Sequence, residues 1–216
     1  MVDFSLWDIF RNLLLALRWT VGLSLIAFVG GSVVGMLLLV ARIARLPGAV
    51  RGVALYVQLF QGIPLLMQLF LFYFGLALLG VETSALFAAA LCLTLYTSAH
   101  LTEIWRGCIN AIPKGQWEAS ASLAMNLREQ LQHVILPQAA RIAVAPTVGF
   151  LVQVIKGTAL ASVIGFVEVT KAGQMISNAT FQPFLAYGCV ALLYFALCFP
   201  LSLWSRRLER RLQPKH

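Results

Sequence analysis

Polar side chains interrupt long apolar stretches of this sequence at spacings that permit chemistry. Gln58, Gln61 and Gln68 fall at i, i+3 and i+10, and Tyr96, His100 and Glu103 at i, i+4 and i+7, so each set shares one face of a continuous helix. Such faces either present hydrogen-bonding groups to a polar solute or bond between helices. Glu103 and Arg106, three residues apart, read as an ion pair. Lys156 closes an apolar run, where a cation needs a partner, water or a route to the interface by snorkelling. No GxxxxGK[ST] phosphate loop occurs, and "KGT" at 156–158 has the wrong order, so no ATP-hydrolysing centre and no catalytic residue are expected in this chain. Cys92, Cys108, Cys189 and Cys198 form no CxxC pair and stand apart from the histidines, so free thiols are expected, with neither metal site nor disulfide framework.

The elements that position these groups are set by the bilayer. Of 216 residues 60% are hydrophobic and 11% charged, with a mean hydropathy of +0.85. A soluble domain carries about 25% charge. Runs long enough to span, about 20 residues, lie near 19–41, 53–79, 84–105, 139–160 and 184–204. This predicts an all-α polytopic membrane protein of five spans and one domain, 1–216. Pro64 is expected to kink the second span, and Arg141 and Pro146 interrupt the start of the fourth. The opening "MVDFSLWDIFRNLLLALRW" begins with acids and lacks a small-residue cleavage site, so it reads as retained. Phe4, Trp7, Ile9 and Phe10 among Asp3, Asp8 and Arg11 suggest an interfacial helix over 1–18, an early start to the first span being the alternative.

Twelve of the 16 Lys and Arg residues fall in one set of loops: Arg42, Arg45 and Arg51; Arg106, Lys114, Arg128 and Arg141; Arg206, Arg207, Arg210, Arg211 and Lys215. The positive-inside rule places that set, with the basic tail 205–216, in the cytoplasm and the N-terminus outside. The formal charge of +8 belongs to these clusters beside anionic lipid, and implies no nucleic-acid partner. Ser24, Ala27, Gly31 and Gly35 form a smooth face on the first span, and Ala145 and Gly149 one on the fourth, for close helix packing within or between subunits.

The longest polar interval, about 110–136, contains "PKGQWEASASLAMNLREQ". After a Pro-Gly turn, Gln116 to Met125 is expected to form a short helix with Glu118 in its first turn. Asn126 and Glu129 then make a capping box for a second helix. Helix, bend, helix with Ala119, Ala121, Ser122 and Ala124 on the surface is a knob that fits a groove on a partner, or else an amphipathic connector on the membrane.

"GQWEASASLAMN", followed by "HVILPQAARIAVAP", resembles the EAA loop of the permease subunits of ATP-binding cassette importers, and within them the polar amino-acid uptake family. "FQGIPLLMQLFLFYFGL" (60–76), "EIWRGCINAIPKGQWEA" (103–119) and "KGTALASVIGFVEVTKAG" (156–173) are similar to the same family in order. The resemblance implies a type I importer permease fold and a multi-pass subunit of the bacterial inner membrane. Two such chains, identical or paralogous, would form the pathway, two separate ATPase subunits would hold ATP and Mg, and an extracytoplasmic binding protein would deliver a polar amino acid. Gly115, Glu118, Ala119, Ser120, Leu123, Ala124 and Asn126 would then form the ATPase-coupling segment. Ala124 stands where such loops usually carry Gly; if the bend needs φ > 0, Ala costs about 1 kcal/mol more, unless Asn126 takes over the turn. Glu103 and Arg106 would brace the inner mouth. Gly157 and Ala159 replace the acid or amide and the Ser of the pattern, so substrate contact is expected to differ. An amino acid brings a carboxylate and an ammonium, for which Gln58, Gln61, Gln68, His100, Gln153, Lys156, Thr158, Ser162 and Glu168 are the candidates. The alternative class is a secondary transporter or channel driven by an ion gradient, although five spans do not divide into inverted repeats. A haem-binding anchor would need two membrane histidines, and only His100 lies in a span.

Overall fold

The computed structural model describes residues 5–44 and 47–212, all helices and connections. Asp3, Phe4, Arg45, Lys215 and His216 lie outside the described residues. Helix α1 (Leu6–Ile43) starts at Ser5, which makes a capping box with Asp8. It is followed by α2 (Ala49–Gly62), α3 (Leu65–Leu78, with a π-helical segment at Leu71–Gly75), α4 (Ala85–Asn110) and α5 (Lys114–Ser122). Helix α6 (Leu127–Ile164) contains a π segment at Gln130–Ile135 and ends in a 3-10 segment at Thr158–Ile164. Helices α7 (Val169–Thr180) and α8 (Pro183–Leu212) complete the chain. Four helices, α1, α4, α6 and α8, are each long and apolar enough to cross a membrane, and the bent pair α2–α3 passes the same test when its two halves are taken as one span. The expected all-α, five-span architecture is therefore present.

Two expectations need correction. The opening stretch is no separate surface helix from Leu6 onward: it and the first span are one 38-residue helix. At about 1.5 Å per residue that helix is roughly 57 Å long, well beyond the hydrocarbon core. Its first turns instead pack laterally, Ile9, Leu13 and Ala16 being buried against Val169, Ile176 and Ala186 of α7 and α8. The second span is broken, not merely kinked, since α2 and α3 meet at 103° around Ile63 and Pro64. The fourth is continuous through Pro146, and the polar interval feeds directly into it. The region after it also holds α7, whose polar sequence lacks the length of a span.

Small residues decide which helices meet. A Cβ at Gly31 would lie 2.5 Å from the Thr97 side chain, and one at Gly35 would lie 3.0 Å from the Ser98 carbonyl oxygen. The GxxxG face of α1 is thus an intrachain contact with α4, where backbones approach closely because no side chain intervenes. Ala145 and Gly149 do the same for α6 against α8, with the Ser205 hydroxyl donating to the Ala145 carbonyl at 2.9 Å. The central core joins Leu23 and Ala27 of α1, Leu69 of α3, Ala89, Cys92 and Leu93 of α4 and Val154 of α6.

Candidate functional site

The knob at one end of the bundle is held by an indole. Trp117, half-buried, packs among Ile109, Ile112, Ile135 and Ala139, where the ends of α4 and α6 converge. Gln138 of α6 donates from Nε2 to Gln116 Oε1 at 3.1 Å, and the Ser120 hydroxyl donates to the Trp117 carbonyl. One face of α5 is thereby fixed to the bundle while Glu118, Ala119, Ala121 and Ser122 stay exposed. Leu123 is 76% exposed at the tip. Glu118 lies in the second turn, because the helix begins at Lys114, earlier than expected.

The bend is a Schellman turn. Met125 N–H donates to the Ser120 carbonyl and Ala124 N–H to the Ala121 carbonyl, and Ala124 carries φ of +57°. The left-handed residue is therefore Ala124 itself. Asn126, with φ of −72°, does not take over the turn; it caps α6, its Oδ1 accepting from Glu129 N–H while Glu129 Oε2 accepts from Asn126 N–H. Gly115 sits in the first turn of α5 with open space beside it.

Beside the knob, Glu103 bridges two arginines. Its Oε2 accepts from Arg106 at 2.6 Å, as the spacing predicts, and its Oε1 accepts from Arg42 of α1 at 2.6 Å. The second partner was not legible, because sixty-one positions separate it along the chain. Farther along the same face of α4, His100 Nδ1 donates to the Tyr96 carbonyl at 2.9 Å and the ring stacks on Phe150 of α6 at 5.1 Å. That leaves Nε2 as the acceptor, with no protein partner among the described residues.

The three glutamines are not brought onto one face. Gln58 and Gln61 remain neighbours on the exposed side of α2. The 103° break turns Gln68 away, and its Nε2 donates to the carbonyls of Phe60 at 2.8 Å and Ile63 at 2.7 Å. On α6, Gln153 and Lys156 share an exposed strip. Thr158 and Ser162 are buried and donate to the Ile155 and Ala159 carbonyls. Gly157 meets α3, where a Cβ would sit 3.2 Å from Leu65, so its bareness lets the broken helix dock.

Glu168 is fully buried at the N-terminus of α7, where its Oε1 accepts from Lys171 N–H at 2.9 Å. Its Oε2 accepts from Tyr194 of α8 at 2.8 Å and lies 3.4 Å from the Thr20 hydroxyl of α1. Three donors and the helix dipole compensate the buried charge and tie three helices together. Thr20 and Tyr194 carry no sequence signal, since they are polar residues in apolar runs that only folding gathers.

Residues 40–214 match the family model described as "Binding-protein-dependent transport system inner membrane component". The chain belongs to this family. A relative within it is the "Probable amino-acid ABC transporter permease protein YckA" of Bacillus subtilis, 31% identical over 98% of each chain. Another is the L-cystine transport system permease protein TcyB of the same organism, 32% identical over 98% of this chain and 90% of that one. Among solved structures, a chain of the "Crystal structure of an amino acid ABC transporter with histidines" is 30% identical and superposes with a TM-score of 0.92, over 98% of this chain and 99% of that chain. The family's type I importer permease fold is the fold found here.

Proposed function

We propose that this chain is the permease subunit of an ATP-driven importer that passes polar amino acids across a bacterial inner membrane. The observation that carries the reading is α5, a short helix clamped to the bundle by Trp117 while its other face, small side chains tipped by Leu123, stays bare. A rigidly held knob of this kind suits force transmission from a separate subunit, and Glu118, Ala119, Ser122, Leu123 and the bend at Ala124 form its contact surface. In this reading two ATPase subunits carrying ATP and Mg engage the knobs, a second permease chain completes the pathway, and a binding protein loads it from outside. The arginine distribution favours a cytoplasmic α5 end and an external N-terminus.

Relatives are named for amino-acid transport, L-cystine among their substrates. For such a zwitterion, Lys156 and Gln153 face the carboxylate and Gln58, Gln61 and the free His100 Nε2 supply polar contacts along the passage. Gln68, Thr158, Ser162 and Glu168 act behind this surface as positioning residues.

The test is ATP hydrolysis in proteoliposomes containing the chain, its ATPase and its second permease, with and without loaded binding protein. Stimulation by the loaded protein that disappears in Glu118→Lys, with substrate binding intact, is the expected result. Transport that runs unchanged without any ATPase overturns the reading in favour of an ion-gradient mechanism.

A further inference from the structure

An apolar groove of about 640 Å³ runs along the outside of the bundle, between α1 and the end of α8, over the faces of α4 and α6. Its floor is made low by Ala140 and Ala143, and its walls include Met36, Trp105 and Trp204. The polar atom at Thr147 is already used, accepting from the Trp105 indole N–H at 2.9 Å. From Phe28 to Leu39 the α1 wall rises about 16 Å at about 1.5 Å per residue. That matches one leaflet of a hydrocarbon core about 30 Å thick.

The mouth of the groove is basic. Arg207 and Arg211 stand three and seven residues past Trp204, hence on the same side of α8. Ser205 is level with Ala145 through its hydrogen bond, and α8 runs antiparallel to α6, so Arg211 comes level with the Ala139 end of the groove. Both arginines are exposed, and neither forms an ion pair among the described residues.

We infer that this groove is a binding site for an anionic phospholipid of the leaflet at the α5 end, with one acyl chain lying between Met36 and Trp204 and the phosphate held by Arg207 and Arg211. The inference needs the transmembrane placement but not the import reading, so each can fail without the other. A basic residue near the surface contributes about a fivefold preference for anionic lipid, so the pair contributes about 25-fold.

The full-length chain, with its co-purifying subunits, is placed in nanodiscs of equal phosphatidylglycerol and phosphatidylethanolamine and extracted, and the lipid that stays bound is counted by native mass spectrometry. Wild type is expected to keep phosphatidylglycerol selectively. R207Q/R211Q should lose the selectivity by an order of magnitude, and A143F, which fills the groove, should lose the lipid itself. Photo-crosslinking with a phosphatidylglycerol carrying a diazirine in its acyl chain tests the same site in the unaltered protein, with label expected on residues 140–147 and Met36. Equal labelling of the outer α1 face at Leu25 and Ile26, retention unchanged in A143F, or an A143C disulfide between two copies each overturns the assignment, the last by giving the groove to a second copy of the chain.

Discussion

The side-chain amide of Gln68 donates to the Ile63 carbonyl at 2.7 Å, across the break that Pro64 makes in the second span. Pro64 has no N–H to offer the Phe60 carbonyl, and the turn at Ile63 leaves that residue's own carbonyl without a helical donor. One amide on the next helix answers both, since Nε2 also reaches Phe60. In lipid no water is available to do this.

Gln68→Leu should therefore destabilise the chain by about 1–3 kcal/mol, the range for leaving buried carbonyls unsatisfied. Gln68→Glu should fail similarly, because a carboxylate accepts but cannot donate. Thermal denaturation in detergent followed by size exclusion measures both. A wild-type midpoint in Gln68→Leu would mean the break is held by packing alone.

Ala124→Gly should stabilise the bend by about 1 kcal/mol, because a left-handed φ of +57° penalises a Cβ. Amide exchange at Met125, whose N–H closes the Schellman turn, should slow about fivefold relative to wild type. Ala124→Val should speed it. Loss of ATPase coupling in the glycine variant would show that the alanine serves contact rather than geometry.

The charge triad should respond asymmetrically. Arg106 is 39% exposed and lies on the same helix as Glu103, so Arg106→Gln is expected to cost no more than about 0.5 kcal/mol. Arg42 is 21% exposed and links two helices, so Arg42→Gln should cost more, roughly 1 kcal/mol, and loosen the α1–α4 end. A double-mutant cycle of Arg42→Gln and Glu103→Gln should return a coupling of up to about 1 kcal/mol between the two helices.

Gly31→Ala should cost about 1–3 kcal/mol, since the new methyl would meet Thr97 at 2.5 Å. Gly22→Ala, on the same helix with nothing within 4 Å, should be neutral or mildly stabilising. Equal effects on unfolding would indicate that the glycines act through backbone freedom and not through helix contact.

The spans were readable because hydrophobic length is a local property that the bilayer imposes, and the capping box of Asn126 and Glu129 because it closes within one turn. The Glu103–Arg106 pair is local in the same way. The glutamine face was misjudged because periodicity assumes a continuous helix, and Pro64 ends it between Gln61 and Gln68. The partners of Glu168 were out of reach of local reading: Tyr194 and Thr20 come from distant helices, and only the amide of Lys171 lies within a turn.

The sequence by itself determined that the chain is built to span a membrane about five times and that a helix, a bend and a second helix interrupt its spans, since each follows from composition or from contacts a few residues apart. Only the tertiary structure decided which polar groups are free. Pairings such as Arg42 with Glu103, Glu168 with Tyr194, and the apolar groove beneath Trp204 join residues far apart in the chain, and no local rule of propensity or spacing specifies which helices will lie side by side.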